Sequence, residues 1–219
     1  MEHFHKIFAR SQNALRGRWE NFWSSEQACM VQLVDRQDVI DKLVYTATNP
    51  VKDHLVDRVH HWSGVNGLRA LLTSQPLRAK RPQHFFRRDG AMPEAVELRL
   101  ILPPELGSET VVLEEFRQRV AAVAAAMAIE RQRTGRRVLG RRAILQQSWR
   151  AQPQSTEPRR NLRPPVAARS QWSRIEALLR NRAFVVAYKT AREAWQTAVA
   201  AIFPPGTYWL RRFANVPIA

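Results

Sequence analysis

Prolines partition this chain before any other property does. Five of them, Pro76, Pro82, Pro93, Pro103 and Pro104, fall between residues 68 and 107. Proline lacks an N–H and disfavours the helical conformation in the residue before it, so no long helix or central strand can run through that stretch. It reads as a proline-rich connector, 68–107, with one alternating run, Val96 to Leu102, as a candidate strand. On either side the apolar residues recur at helical spacing. The expected organisation is therefore three stretches, 1–67, 68–107 and 108–219, and the expected class is α+β, predominantly helical.

In the first stretch Phe4, Ile7, Phe8, Ser11 and Leu15 share a helical face, with Gly17 as its stop. Ala28 to Val34 is a short apolar run that suits a strand. Asp35 is placed as an N-cap for a helix bearing Val39, Ile40, Leu43, Val44 and Ala47 on one side. Asn49-Pro50 is expected to interrupt that helix. In the last stretch Ser108 opens a helix with the stripe Val112, Phe116, Val120, Val123 and Met127. A basic loop region follows from Arg131 to Arg169, with a short helix expected near 141–148. A further helical stretch begins near Ser170, with Trp172, Ile175 and Leu179 on one face. Its apolar phase then shifts to Phe184, Ala187, Tyr188, Ala191, Trp195 and Ala198, which implies a kink or break near Asn181.

Charge narrows the function. The formal net charge is +16, and all but five of the 35 basic side chains are arginine. Arginine's planar fork holds a phosphate through two hydrogen bonds and stacks on bases. Between Arg131 and Arg182 lie 14 arginines against Glu157 and Glu176, with Trp149 and Trp172 interspersed. Nucleic acid is the partner that this balance implies. The lone Cys29 excludes a disulfide framework or a zinc knuckle within the chain. No apolar run of about 18 residues is present, and a cytoplasmic protein without a membrane partner is expected.

Tyr45 is the candidate for chemistry. At about 100° per residue it projects away from the apolar face of its helix, beside Asp38, Asp41, Lys42 and Thr48. A core tyrosine would lie among the apolar residues instead. The block Tyr45-Thr46-Ala47-Thr48-Asn49-Pro50-Val51-Lys52, followed by Trp62-Ser63, resembles the Tyr-x-x-x-Asn-Pro-Val block and downstream Trp-Pro/Ser motif of the REP-associated tyrosine transposases, single-tyrosine members of the HUH transposases. Leu15-Arg16-Gly17-Arg18-Trp19-Glu20-Asn21-Phe22-Trp23 resembles the segment just upstream in that family. The resemblance covers about residues 4 to 67.

The resemblance implies that Tyr45 attacks a phosphodiester of single-stranded or hairpin DNA, giving a 5′-phosphotyrosine link and a free 3′-hydroxyl. It implies the C-terminal portion of a ferredoxin-like catalytic domain, followed by a helical basic extension, and a homodimer formed by strand or helix exchange. It also implies a divalent metal, Mg²⁺ or Mn²⁺, held by a His-hydrophobic-His pair on a strand. His3-Phe4-His5 has that spelling, but its neighbours follow helical spacing, and on a helix residues two apart diverge by about 200°. No metal ligands are therefore assigned, and the metal strand is expected upstream of Met1. DNA contacts are expected from Arg16, Arg18, Lys52, Arg136, Arg137, Arg141, Arg142, Arg159 and Arg160. Two readings stay open: a strand-transfer enzyme working through Tyr45, and a non-catalytic nucleic-acid-binding remnant acting through the arginine-rich C-terminal region.

Overall fold

The computed structural model describes residues 2–23, 29–83, 87, 89–148, 150–151 and 163–219. Within them the chain is a mixed, predominantly helical α+β protein with two small two-stranded sheets. Its elements are α1 (Glu2–Arg16), β1 (Gln32–Leu33), α2 (Arg36–Lys52), α3 (Leu68–Thr73), β2 (Leu77–Lys80), β3 (Ala95–Leu98), α4 (Glu109–Thr134), α5 (Arg141–Gln146), β4 (Val166–Ala167), α6 (Gln171–Gln196) and α7 (Tyr208–Ala214). Among the described residues, no helix is long and apolar enough to cross a membrane.

The chain divides into two compact units that do not follow the three sequential stretches. One holds residues 1–28 and 40–159, the other 29–39 and 160–219. The cause is a pairing that local periodicity cannot reveal. Gln32 and Leu33 of β1 lie parallel to Val166 and Ala167 of β4, more than 130 residues away. The Asp38 carboxylate accepts from the Arg169 N–H at 3.0 Å and adds to this link.

In the first unit, α1 ends as its glycine requires. Gly17 takes φ +59, and the N–H groups of Gly17 and Arg18 return to the carbonyls of Ala14 and Asn13. Helix α2 buries Ile40, Val44, Ala47, Thr48 and Val51. Asn49-Pro50 does not interrupt it. Proline in the last turn deletes a single N–H, and the helix closes two residues later. The Pro50 carbonyl then accepts from both Leu55 (2.9 Å) and Val56 (3.2 Å). His54 N–H meets the Val51 carbonyl at 3.1 Å with φ +54, so the helix ends in a Schellman motif with histidine where glycine is usual.

The proline-rich connector holds more structure than its composition suggests. It contains α3 and an antiparallel β2–β3 hairpin in which Leu77 pairs with Leu98 and Arg78 with Glu97. The Arg78 and Glu97 side chains meet at 2.7 Å across the strands. The strand spans 95–98, earlier and shorter than the alternation at 96–102, and its side chains are all exposed. Helix α4 buries Val112, Phe116 and Val120, as its stripe required, and Arg119 pairs with Asp41 of α2.

The second unit is built on α6, which runs unbroken from Gln171 to Gln196. Its N-cap Ser170 accepts from the Ser173 N–H at 3.3 Å. The expected break at Asn181 is absent because the helix contains no Gly or Pro and its first stripe is not a buried face. Trp172 stays 80% exposed and Leu179 is exposed, while Ala177 and Ala191 are the buried positions. The core beneath it joins Ala191, Phe203 and Val216, with Tyr188, Leu210 and Ala214 packed around. Phe203 and Ala219 are tied by main-chain bonds, Phe203 N–H to Pro217 and Ala219 N–H to Phe203, each 2.9 Å.

Candidate nucleic-acid interface

Helix α2 presents Tyr45 opposite its buried side, 49% exposed. Two ammonium groups flank the ring. Lys42 Nζ and Lys52 Nζ each lie 5.5 Å from the ring centroid, one from a turn before the tyrosine and one from two turns after. The arrangement follows from spacing alone, since positions 42 and 52 fall within about 60° of position 45 on the helical wheel. Two cations thus lie beside one exposed phenol.

Thr48 does not join this surface. It is fully buried, and its hydroxyl donates to the Val44 carbonyl at 2.7 Å. The hydroxyl is satisfied by its own helix, so a polar residue can sit on the inward side. Asp41 is held in the ion pair with Arg119.

The end of α2 carries the second component. Immediately past Lys52, the His54 and Leu55 carbonyls accept from the N–H groups of Leu139 and Gly140, each at 2.9 Å. These two bonds fasten the stretch Arg136 to Arg142 to the terminus of the tyrosine helix. Gly135 at φ +68 closes α4 and Gly140 at φ +84 opens α5, so the backbone can turn sharply on both sides of the segment. Arg136, Arg137, Arg141 and Arg142 are all exposed, and among the described residues none is paired with a carboxylate. Basic groups left without partners on a fixed loop are available to phosphate.

The other expected contacts lie elsewhere. Arg16 ends α1, with its Nε donating to Gln12 Oε1 at 3.4 Å. Arg18 pairs with Glu20 at 3.3 Å. Both sit near Trp19, which is almost wholly exposed. Lys52 is the one expected residue that touches Tyr45; Arg159 and Arg160, like Trp149, lie outside the described residues. The carbonyl-to-N–H link at 139–140 had no signal in the sequence, whereas Lys42 could have been added to the site from its i−3 spacing to Tyr45.

His3 and His5 both lie on α1, and the His5 carbonyl accepts from Trp23 Nε1 at 2.9 Å. Side chains two apart on a helix point away from each other, so this pair does not fit a shared metal. Among the described residues no group of three or more His, Cys, Asp or Glu side chains is placed to hold a metal ion. His61 Nδ1 lies 2.6 Å from Asp57 Oδ1, and the hydrogen bond from His61 holds the Asp57 carboxyl below its usual range. Burial opposes that shift.

No protein-family model, curated protein or solved structure matches this chain.

Proposed function

We propose that this is a DNA-handling protein of transposase type, in which Tyr45 is the nucleophile for cleaving and rejoining single-stranded or hairpin DNA. The observation that carries the reading is the exposed Tyr45 phenol between Lys42 and Lys52, on a helix whose end anchors the Arg136–Arg142 loop. The resemblance of residues 45–52 to the REP-associated tyrosine transposases supports the same chemistry, as does the net charge of +16. A cytoplasmic setting and action on mobile DNA go with it, as does pairing with a second copy of the chain.

In the reaction Tyr45 Oη attacks phosphorus, and the P–O3′ bond breaks. The phenol gives up its proton, and the departing 3′-oxygen takes one up. A phosphodiester is exchanged for a phosphotyrosine ester, and attack by a 3′-hydroxyl reverses the step to rejoin a strand. Lys42 and Lys52 offset the charge of the incoming phosphate, and the loop arginines hold its neighbours. A divalent metal, held by a His-hydrophobic-His pair, would supply help in deprotonating the attacking phenol. The histidines present do not fit such a pair, and no step here runs through it.

The same poor fit favours a second reading, a nucleic-acid-binding remnant that has kept the basic surface without the chemistry. One assay separates the two. The purified chain is incubated with labelled hairpin DNA and Mg²⁺ or Mn²⁺, then scored for a denaturation-resistant protein–DNA band. The enzyme reading expects a band that vanishes in Tyr45→Phe while DNA binding is retained. A retarded complex without a covalent band identifies the remnant. A covalent band that persists in Tyr45→Phe refutes the assignment of the nucleophile.

A further inference from the structure

The last 23 residues, 197–219, contain no acidic side chain, and their short helix α7 holds Arg211 and Arg212. Leu210 and Ala214, one turn apart, pack onto the Ala191, Phe203 and Val216 core. That inward seating leaves the other sides of the helix to solvent. Trp209 is 73% exposed and Phe213 64%, and Tyr208 is exposed as well. Trp209 and Phe213 are four residues apart, so their rings lie one above the other with centroids 4.7 Å apart and planes 44° to each other. The Arg212 guanidinium carbon lies 5.6 Å from the Phe213 ring centre.

Fold stability does not explain these rings. The core is closed by Leu210, Ala214 and the tail through Val216 and Ile218, and neither ring is among the described side chains packed on it. What they offer is flat π surface beside two guanidinium groups. An apolar protein partner would desolvate both arginines without pairing them, which is costly. A nucleic acid strand meets both demands, because every base has a π face and every link has a phosphate.

We propose that α7 is a stacking platform for unpaired bases of single-stranded nucleic acid, with Trp209 and Phe213 receiving bases and Arg211 and Arg212 holding the flanking phosphates. The proposal rests on the nucleic-acid reading above and assigns it a second contact surface, on the second compact unit. It is independent of Tyr45 chemistry.

The test uses the full chain and a single-stranded thymidine oligonucleotide carrying 5-iododeoxyuridine, photo-crosslinked and mapped by mass spectrometry. Adducts within residues 208–213 are expected. Alongside, Trp209→Ala/Phe213→Ala should weaken oligonucleotide binding roughly 5- to 150-fold for each base that loses its stack. Trp209→Phe, which keeps a ring, should retain most of the affinity. The rings are not among the side chains packed on the core, so thermal melting of the double variant should fall only slightly, by the loss of their mutual contact. Should it fail to fold, the crosslinking map of the parent still decides. Crosslinks confined to other segments, with full affinity in the double variant, overturn the platform and leave the nucleic-acid reading standing. A parent chain that binds no oligonucleotide overturns both.

Discussion

Replacing Arg136, Arg137, Arg141 and Arg142 together by alanine is the perturbation whose size the structure sets most directly. The four side chains are exposed and lack carboxylate partners among the described residues. The segment is held by the N–H groups of Leu139 and Gly140, which the substitutions leave untouched. The variant should therefore keep its fold and lose only phosphate contacts. Each contact to a single strand contributes about 0.7 to the slope of log affinity against log salt. If all four engage, the slope becomes shallower by roughly 2.8, and affinity near 0.15 M salt falls roughly 200-fold. Fluorescence anisotropy with a labelled single-stranded oligonucleotide, titrated across roughly 50 to 300 mM salt, reads both quantities. A variant whose slope and affinity match the parent's would refute the reasoning, because it would mean that the loop at the end of α2 meets no phosphate. A fall in affinity with an unchanged slope would also count against it, since the loss would then not be electrostatic.

Two further predictions concern the framework. Phe203 is completely buried at the centre of the second unit, so Phe203→Ala should destabilise that unit by about 3–5 kcal/mol. Hydrogen exchange across residues 186–219 measures it, and a cost below about 1 kcal/mol would show that Phe203 is not what closes this core. Asp57 gives a pH test. Its folded carboxyl titrates below the ordinary value of 3.8 because His61 hydrogen-bonds to it, so its stabilisation is present above 3.8 and is lost as pH falls through the lower folded value. In His61→Ala the Asp57 titration, followed by carboxyl carbon NMR, should move up toward 3.8; an unmoved midpoint would remove His61 as the cause.

Local physics was readable in the residues, and long-range pairing was not. Helices α1, α2 and α4 follow from apolar spacing, and the Gly17 and Ser108 boundaries follow from terminal preferences. The exposure of Tyr45 follows from the same wheel. Four features escaped for physical reasons. Pro50 was read as a break, but a proline two residues from a helix end deletes only one hydrogen bond. The apolar phase shift along α6 points to a kink or break near Asn181, but an exposed apolar stripe carries no packing constraint, so its phase says nothing about the backbone. The β1–β4 pairing and the anchoring of Leu139 and Gly140 on His54 and Leu55 are main-chain bonds between distant segments, and side-chain patterns do not encode them. The second of these is what fastens a run of arginines to the end of the helix that carries Tyr45. Trp209 and Phe213, by contrast, stood in the sequence at i and i+4 beside Arg211-Arg212, a spacing that helical geometry alone would have flagged.

The stop at the end of α2 also bears on the entropy of association. With Pro50's carbonyl accepting twice and His54 held in the left-handed region, the last turn of the tyrosine helix has few ways to fray. The backbone that carries Tyr45 and Lys52 is thereby ordered before any ligand arrives. If the proposed DNA docks here, this stretch has little conformational entropy left to lose, so the ordering cost falls on the incoming strand. A hairpin, already constrained by its own base pairs, loses less than a flexible linear strand of the same length. Discrimination between the two can therefore arise without any contact that reads a base.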